Sequence, residues 1–390
     1  AWPFPRGSQP SGGGCGFQGG YWALPQHRFE PLSPTSIQMK STALCVALIL
    51  ALSPTFGFSQ DAQEVEPFRL VYEGTEGPGK GKHVVLIAGD EEYRSEEVMP
   101  MLGRILAFHH GFRCTVLFST DPESGVIDPK NQTHIPGLEV LESADMMVMF
   151  LRFRELPDAD MKHIVDYVEA GKPILGIRTA THAFNYSRDK ESPYAHYSFR
   201  NGKWSGGFGR QILGETWVNH HGGHGSQSTR GVIEPFNAEH PILRGADDVW
   251  GTTDVYGIRD LPEDAKVLLR GAVLQGMKPD SPLLEGPKNA PMIPIFWVRE
   301  IDRAPGKPMR TACTTIGAAP DFASAGVRRI MVNSCYWGLR MEDQIPAESD
   351  VSIVGEFKPT NFGFGQFVPN IRPEDHVWPK KARADKSDGQ

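Results

Sequence analysis

The chain has 390 residues, of which 39% are hydrophobic and 22% charged, enough apolar material for a large buried core. Its net charge of −7, with no stripe of Lys and Arg, argues against nucleic acid as a partner, and its acids are dispersed rather than gathered into an acidic tail.

Residues 1–38 are rich in Gly and Pro and are expected to be an upstream extension ahead of a start at Met39. Met39-Lys40, an apolar stretch over 44–52 and the small-residue exit Gly57-Phe58-Ser59 read as a signal peptide over 39–59, which predicts export to the periplasm or beyond. The apolar stretch is too short for a comfortable membrane span. Past residue 59 only Cys114, Cys313 and Cys335 remain, an odd number that makes no disulfide framework.

A Gly/Pro-rich linker is expected over 60–82. Residues 83–88 are continuously apolar, as in a strand covered on both faces. Ser95 then opens a helical pattern carrying Val98, Leu102, Ile105 and Leu106 on one side, with Gly111 as its stop. Residues 112–118 and 144–151 read as strands, 157–170 as an amphipathic helix stopped by Gly171, and 173–177 as a fourth strand. This alternation predicts an α/β domain over 83–340: a parallel sheet with helices on both faces, interrupted after the fourth strand by a long polar and aromatic insertion over 186–230. Shorter strands are expected at 231–234, 253–258, 265–269, 293–298 and 310–316, and a last helix over 322–337. The tail, 341–390, lacks a clear period and is expected to wrap the domain, with Phe362, Phe364 and Phe367 as anchors.

The fourth strand ends in Gly176-Ile177-Arg178-Thr179-Ala180-Thr181-His182, a sharp strand-to-helix corner. Such an elbow lifts one side chain above the carboxyl edge of a parallel sheet, where substrates bind. Hydrolases place Ser or Cys there, whereas Arg178 is permanently charged and cannot attack a carbonyl. The pattern therefore predicts a retained pocket without Cys-dependent acyl chemistry.

Together with Asp90-Glu91-Glu92-Tyr93-Arg94-Ser95 after the first strand, His240-Pro241-Ile242-Leu243-Arg244-Gly245, Asp254-Val255-Tyr256, and residues 293–300 before a terminal helix, this elbow resembles the ThuA-like (trehalose utilisation) family. Arg178 stands where that family often has His, and His182 where it often has an acid. The resemblance implies a class I glutamine-amidotransferase-like, flavodoxin-like fold. It also implies a role in the metabolism of disaccharides or glycosides, with a 3-keto-sugar as one form of substrate.

The residues themselves offer three candidate clusters. Glu91, Glu92 and Tyr93 lie beyond the first strand and suit acid–base work or sugar-hydroxyl binding, or else the solvated N-terminus of a helix. Arg178, Thr179, Thr181 and His182 form the elbow: Arg178 would offer donors to a carboxylate, phosphate or sugar oxygen, with His182 as a general base beside it. The plainer alternative is an Arg178 ion pair with Glu91 or Glu92. His220, His221 and His224 form the third cluster, in a Gly-rich loop that would bind substrate or hold a divalent metal, the one cofactor the residues invite. Asp254 and Tyr256 are expected at the rim, and Tyr186, Tyr194, Tyr197, Phe199, Trp204, Phe208 and Trp217 are candidates to stack on a sugar. Two functions follow: an enzyme acting on a small-molecule sugar by isomerisation, hydrolysis or elimination, or a sugar-binding module with a degenerate pocket and no turnover.

Overall fold

The computed structural model describes residues 69–379. The expected extension over 1–38 and signal peptide over 39–59 lie outside the described residues. Among those described, no helix is long and apolar enough to cross a membrane.

In chain order the elements are β1 (Leu70–Tyr72), β2 (His83–Gly89), α1 (Ser95–His110), β3 (Arg113–Phe118), β4 (Met146–Leu151), α2 (Asp158–Glu169) and β5 (Ile174–Ile177). They continue with β6 (Thr229–Ile233), β7 (Trp250–Gly251), β8 (Lys266–Val273), β9 (Ile293–Ile301), β10 (Met309–Thr314) and α3 (Ala325–Gly338). All ten strands join one sheet in the order β1-β3-β2-β4-β5-β10-β9-β8-β6-β7. The run β3-β2-β4-β5-β10 is parallel, and every other pairing is antiparallel. The sheet is thus mixed, where the sequence predicts a parallel one. The difference arises because β8 and β9 are joined by a loop that holds only a short 3-10 turn (Pro287–Asn289) and β10 returns beside β9, with no α-helix between these strands to carry a crossover.

Continuous apolar strands do lie at the centre: every residue of β2, β4 and β5 is buried. Alternate side chains of β2 feed two separate cores. Val84, Leu86 and Ala88 pack with α1 and α3, while Val85 and Ile87 pack with Met161, Ile164 and Val168 of α2. Helices therefore cover both faces. The insertion thickens the α2 side, where Tyr186, Tyr197, Phe208, Ile212 and Leu213 are core residues.

Two local expectations change. Within the expected linker, Leu70–Tyr72 forms an edge strand on β3, with Tyr72 fully buried beneath α1. Residues 253–258 form no strand. The backbone N–H groups of Thr252 and Thr253 bond the carboxylate of Asp321 rather than a neighbouring strand, leaving only an isolated bridge between His220 and Tyr256. Asp321 also accepts from the hydroxyls of Thr252 and Thr253 and from the N–H groups of Gly317 and Ala318. One buried carboxylate thereby ties the loop that carries Asp254 to the loop that follows β10.

Candidate functional site

The loops after β2, β4, β5 and β10 converge at the carboxyl edge of the parallel strands, where open α/β sheets bind ligands. Three of those loops hold a non-glycine residue in the left-handed region: Arg94 (φ 64°), Phe153 (φ 54°) and Arg178 (φ 44°). Each such residue costs roughly 1–2 kcal/mol of backbone energy, so the surroundings must hold it in place.

For Arg178 the surroundings are visible. Its guanidinium lies between the rings of Tyr93 and Tyr256, 4.2 and 4.0 Å from their centroids. It donates to Asp254 Oδ1 at 3.0 Å, to the Asp254 carbonyl at 3.2 Å, to Tyr93 Oη at 3.2 Å and to the carbonyl of Thr315. Arg178 and Asp254 are both fully buried. The expectation that Arg178 offers its donors to a ligand is corrected: four of its bonds end inside the protein. The alternative pairing with Glu91 or Glu92 is not made either. Arg152 pairs with both of those acids, and Arg154 with Glu91. Burial opposes the Arg178 charge, but Tyr256, Tyr93 and Asp254 more than offset it and hold the group protonated.

The rest of the elbow also serves the frame. It runs on as a single short helical turn, Arg178–His182, not as a longer helix. Thr179 donates to Asp90 Oδ2, while Asp90 Oδ1 accepts the N–H groups of Glu92 and Tyr93 at 2.6 and 2.7 Å, which shapes the loop after β2. Thr181 bonds back to the Arg178 carbonyl and contacts His182 Nδ1. His182 is buried among Phe153, Phe199, Trp217 and Tyr256, and burial first, then Arg152 and Arg178, push its pKa well below the ordinary histidine value. Thr179, Thr181 and His182 therefore stand behind the surface, not on it.

What Arg178 holds is Asp254, and Asp254 holds the histidines. Its Oδ2 lies 2.7 Å from His220 Nδ1 and its Oδ1 3.3 Å from His224 Nδ1. His224 Nε2 reaches Glu92 Oε1 at 3.4 Å. Burial would raise the Asp254 pKa, but the hydrogen bonds from His220 and His224, followed by the charge of Arg178, hold it well below the usual carboxylate range. The bond to Asp254 raises the His224 pKa above its ordinary value, and burial raises that of Glu92. His220 and His224 keep 36% and 38% of their side chains open to solvent, whereas Asp254 keeps none. The two imidazoles thus form the accessible surface of a site whose charges lie beneath it.

Close approach explains Gly222 in this loop. The N–H groups of His221 and Gly222 both bond the Val255 carbonyl, and a Cβ on Gly222 would sit 2.9 Å from Cβ of Asp254. The same turn points His221 away, where its Nε2 contacts the Lys288 carbonyl. The expected trio of histidines is therefore a pair, with Asp254 in the third place. One ligand atom each from His220, His224 and Asp254 lie within 4.8 Å of one another, a donor set of two imidazoles and a carboxylate that suits a divalent metal.

Sequence reasoning does not single out Arg152, Arg154 or the tail as parts of this site. Arg154 is completely buried and donates to the carbonyls of Arg152, Pro129 and Asn131 as well as to Glu91. Arg152 lies between the rings of Phe153 and Phe364, at 4.4 and 4.9 Å. Phe362 packs on Tyr93 and His224, and Gly363 N–H donates to the Glu92 carbonyl at 2.8 Å. Of the residues named as tail anchors, Phe362 and Phe364 therefore border the site, whereas Phe367 lies against Lys130. Of the aromatic residues expected to meet a sugar, Trp217 stands beside His220 at 5.9 Å, whereas Tyr186, Tyr197 and Phe208 belong to the core. Cys114, Cys313 and Cys335 are buried free thiols, all pushed up by burial.

No family model matches this sequence, and no curated protein does. Among solved structures, a ThuA-like protein from Bacteroides uniformis is similar at 14% identity, with 68% of this chain and 95% of that chain covered and a TM-score of 0.42. A second ThuA-like protein, from Parabacteroides merdae, is similar at 15% identity, with 76% and 99% covered and a TM-score of 0.41.

Proposed function

We propose that this protein is an enzyme of carbohydrate metabolism that moves protons on an oxidised disaccharide or glycoside, using His220 and His224 as its working groups. The observation that carries the reading is the bond from Asp254 to His220 Nδ1. A carboxylate on one ring nitrogen fixes the tautomer and leaves the other nitrogen, Nε2, as the base. Arg178 keeps that carboxylate ionised and in place without touching substrate. His224, whose proton is retained to higher pH by Asp254 and Glu92, supplies the acid.

On a keto-sugar the roles are complementary. His220 Nε2 takes the proton from the carbon beside the carbonyl. The electron pair of that C–H bond forms the new C=C bond, and the former carbonyl electrons leave on oxygen, which receives a proton from His224. In the resulting enediol His220 gives its proton to the former carbonyl carbon while the hydroxyl on the neighbouring carbon gives its own to His224, which leaves the carbonyl on that neighbouring carbon as the isomer. Trp217 and Phe362 flank the two imidazoles as half-buried apolar faces on which a sugar ring can rest. The sheet supports the same reading: counted in chain order, its five parallel strands lie 2-1-3-4-5, the flavodoxin-like arrangement whose ligands sit at this edge.

The test is to incubate the full chain with 3-keto and unoxidised disaccharides in deuterium oxide and follow mass gain in the recovered sugar. Exchange is expected on the keto-sugar alone, and His220→Ala should slow it by roughly 100-fold or more. Sugar binding without exchange would leave the non-catalytic binding module, and neither binding nor exchange would end the carbohydrate reading.

A metal reading competes at the same atoms, favoured by the two-imidazole, one-carboxylate set. A bound divalent ion would take the lone pairs that the acid–base reading uses, and would supply Lewis-acid polarisation of a sugar oxygen. Elemental analysis of the purified protein, and exchange measured after chelation, separate the two.

A further inference from the structure

A cavity of about 550 Å³ opens between α1 and the tail, and none of its lining residues belongs to the histidine cluster. It falls in the size range of small-molecule sites. Its walls include the rings of Phe357 and Trp378, and the apolar side chains of Ile127 and Ile371.

The charged groups on this wall are committed, with one exception. Both oxygens of Glu97 bond Thr360, at 2.8 Å to its N–H and 2.6 Å to its hydroxyl. Lys358 pairs with Glu356, Asp375 accepts from the N–H of Arg372, and Arg104 donates to the Glu356 carbonyl while lying 5.9 Å over the Trp378 ring. Glu96 alone is left. It is 8% exposed, it lines the cavity, and neither of its carboxyl oxygens has a hydrogen-bond partner. Leaving a buried carboxyl without a partner carries a desolvation cost even when it is neutral. A side chain of ordinary helix propensity, such as Gln or Leu, would avoid the ionisable group altogether.

We propose that this cavity binds a small organic cation with an apolar body, an alkylammonium group, with Glu96 as its counter-ion and Trp378 and Phe357 as its aromatic walls. Charge favours a cation over a neutral or anionic guest. Four carboxylates line the cavity (Glu96, Glu97, Glu356, Asp375) against three basic side chains (Arg104, Lys358, His376). The negative faces of aromatic rings add to that preference. An ammonium group would bring the N–H donors that both Glu96 oxygens lack, which turns an uncompensated acid into an ion pair. The site is independent of the proposed sugar chemistry, because the two share no side chain.

Isothermal titration of the full chain with n-butylammonium chloride and with n-butanol, at matched ionic strength, tests this. The alkyl bodies are the same and only the head differs. The expected result is at least tenfold tighter binding of the ammonium compound, a preference that Glu96→Gln abolishes while butanol binding stays unchanged. Gln is nearly isosteric and uncharged, so the variant is expected to fold. Equal affinities for the two compounds, no binding of the ammonium compound, or an ammonium preference that survives Glu96→Gln would each overturn the proposal.

Discussion

Two buried acids define this molecule, and it treats them in opposite ways. Asp254 receives a guanidinium and two imidazoles and is held ionised far below the usual carboxylate range. Glu96, on the first turn of α1, receives no hydrogen bond from any other residue and is pushed up to about 8, first by burial, opposed by its own backbone N–H and by Arg94 and helped by Glu97 and Asp90. Burial is common to both, so it does not set the protonation state by itself. The partners decide. A fully partnered buried charge is a piece of frame, here aiming two imidazoles outward. An unpartnered one is an unfinished interaction, and it marks a place where a ligand would repay the cost of keeping it.

The sharpest way to break this contrast is to remove the partner from Asp254. Arg178→Ala should destabilise the fold by about 3–5 kcal/mol, because it takes the guanidinium from the buried Asp254 carboxylate and removes two cation–π contacts, with Tyr93 and Tyr256. Denaturant unfolding measures it, and a loss under about 1 kcal/mol would show that Arg178 is not the anchor.

A smaller effect of opposite sign is expected at Glu96. Its folded pKa of about 8 lies above the unfolded value near 4.5, so the folded state keeps a proton that the unfolded state has already released. Stability is therefore fully present below about pH 4.5 and is lost as pH rises towards 8. Glu96→Gln should remove that slope and raise stability at pH 8 by on the order of 2–3 kcal/mol, short of full linkage because the cavity can admit water to the ion. Thermal melts of both proteins from pH 4 to 9 check it, and parallel curves would contradict the assignment.

The smallest effect concerns His224, whose pKa is raised mainly by its bond to Asp254. Its contribution to stability is present below the ordinary histidine value and is lost as pH rises through the higher folded one. With more than a third of the side chain in solvent, screening keeps that contribution below about 1 kcal/mol. An NMR titration should place its midpoint above 6.5, and a midpoint at or below that value would mean the bond to Asp254 does not persist in solution.

Much of the frame is legible in one dimension because it is written locally. Residues 84–88 and 146–151 read as covered strands since every position is apolar, and Gly111 and Gly171 mark helix ends because both take positive φ. The elbow at Arg178 is legible too, as an apolar strand running into a short Thr/Ala turn. The antiparallel half is less so: Leu70–Tyr72 is three residues long, too short for a period, and residues 253–258 look like a strand until Asp321, some 68 positions on from Thr253, claims the N–H at the start of that run.

From the sequence alone come the alternation of apolar strands and amphipathic helices, the charged corner at Arg178, and a Gly-rich loop with histidines to offer. The tertiary structure decided which charge meets which. Arg178 finds Asp254 rather than Glu91 or Glu92, His221 turns to a backbone carbonyl while His220 and His224 turn to a carboxylate, and Glu96 is left with no partner. The physical reason is one of range. Strand and helix patterns are fixed by neighbours a few residues apart, whereas the Arg178–Asp254 pair spans 76 positions and exists only once β5 and the loop beyond β7 are folded onto the same edge.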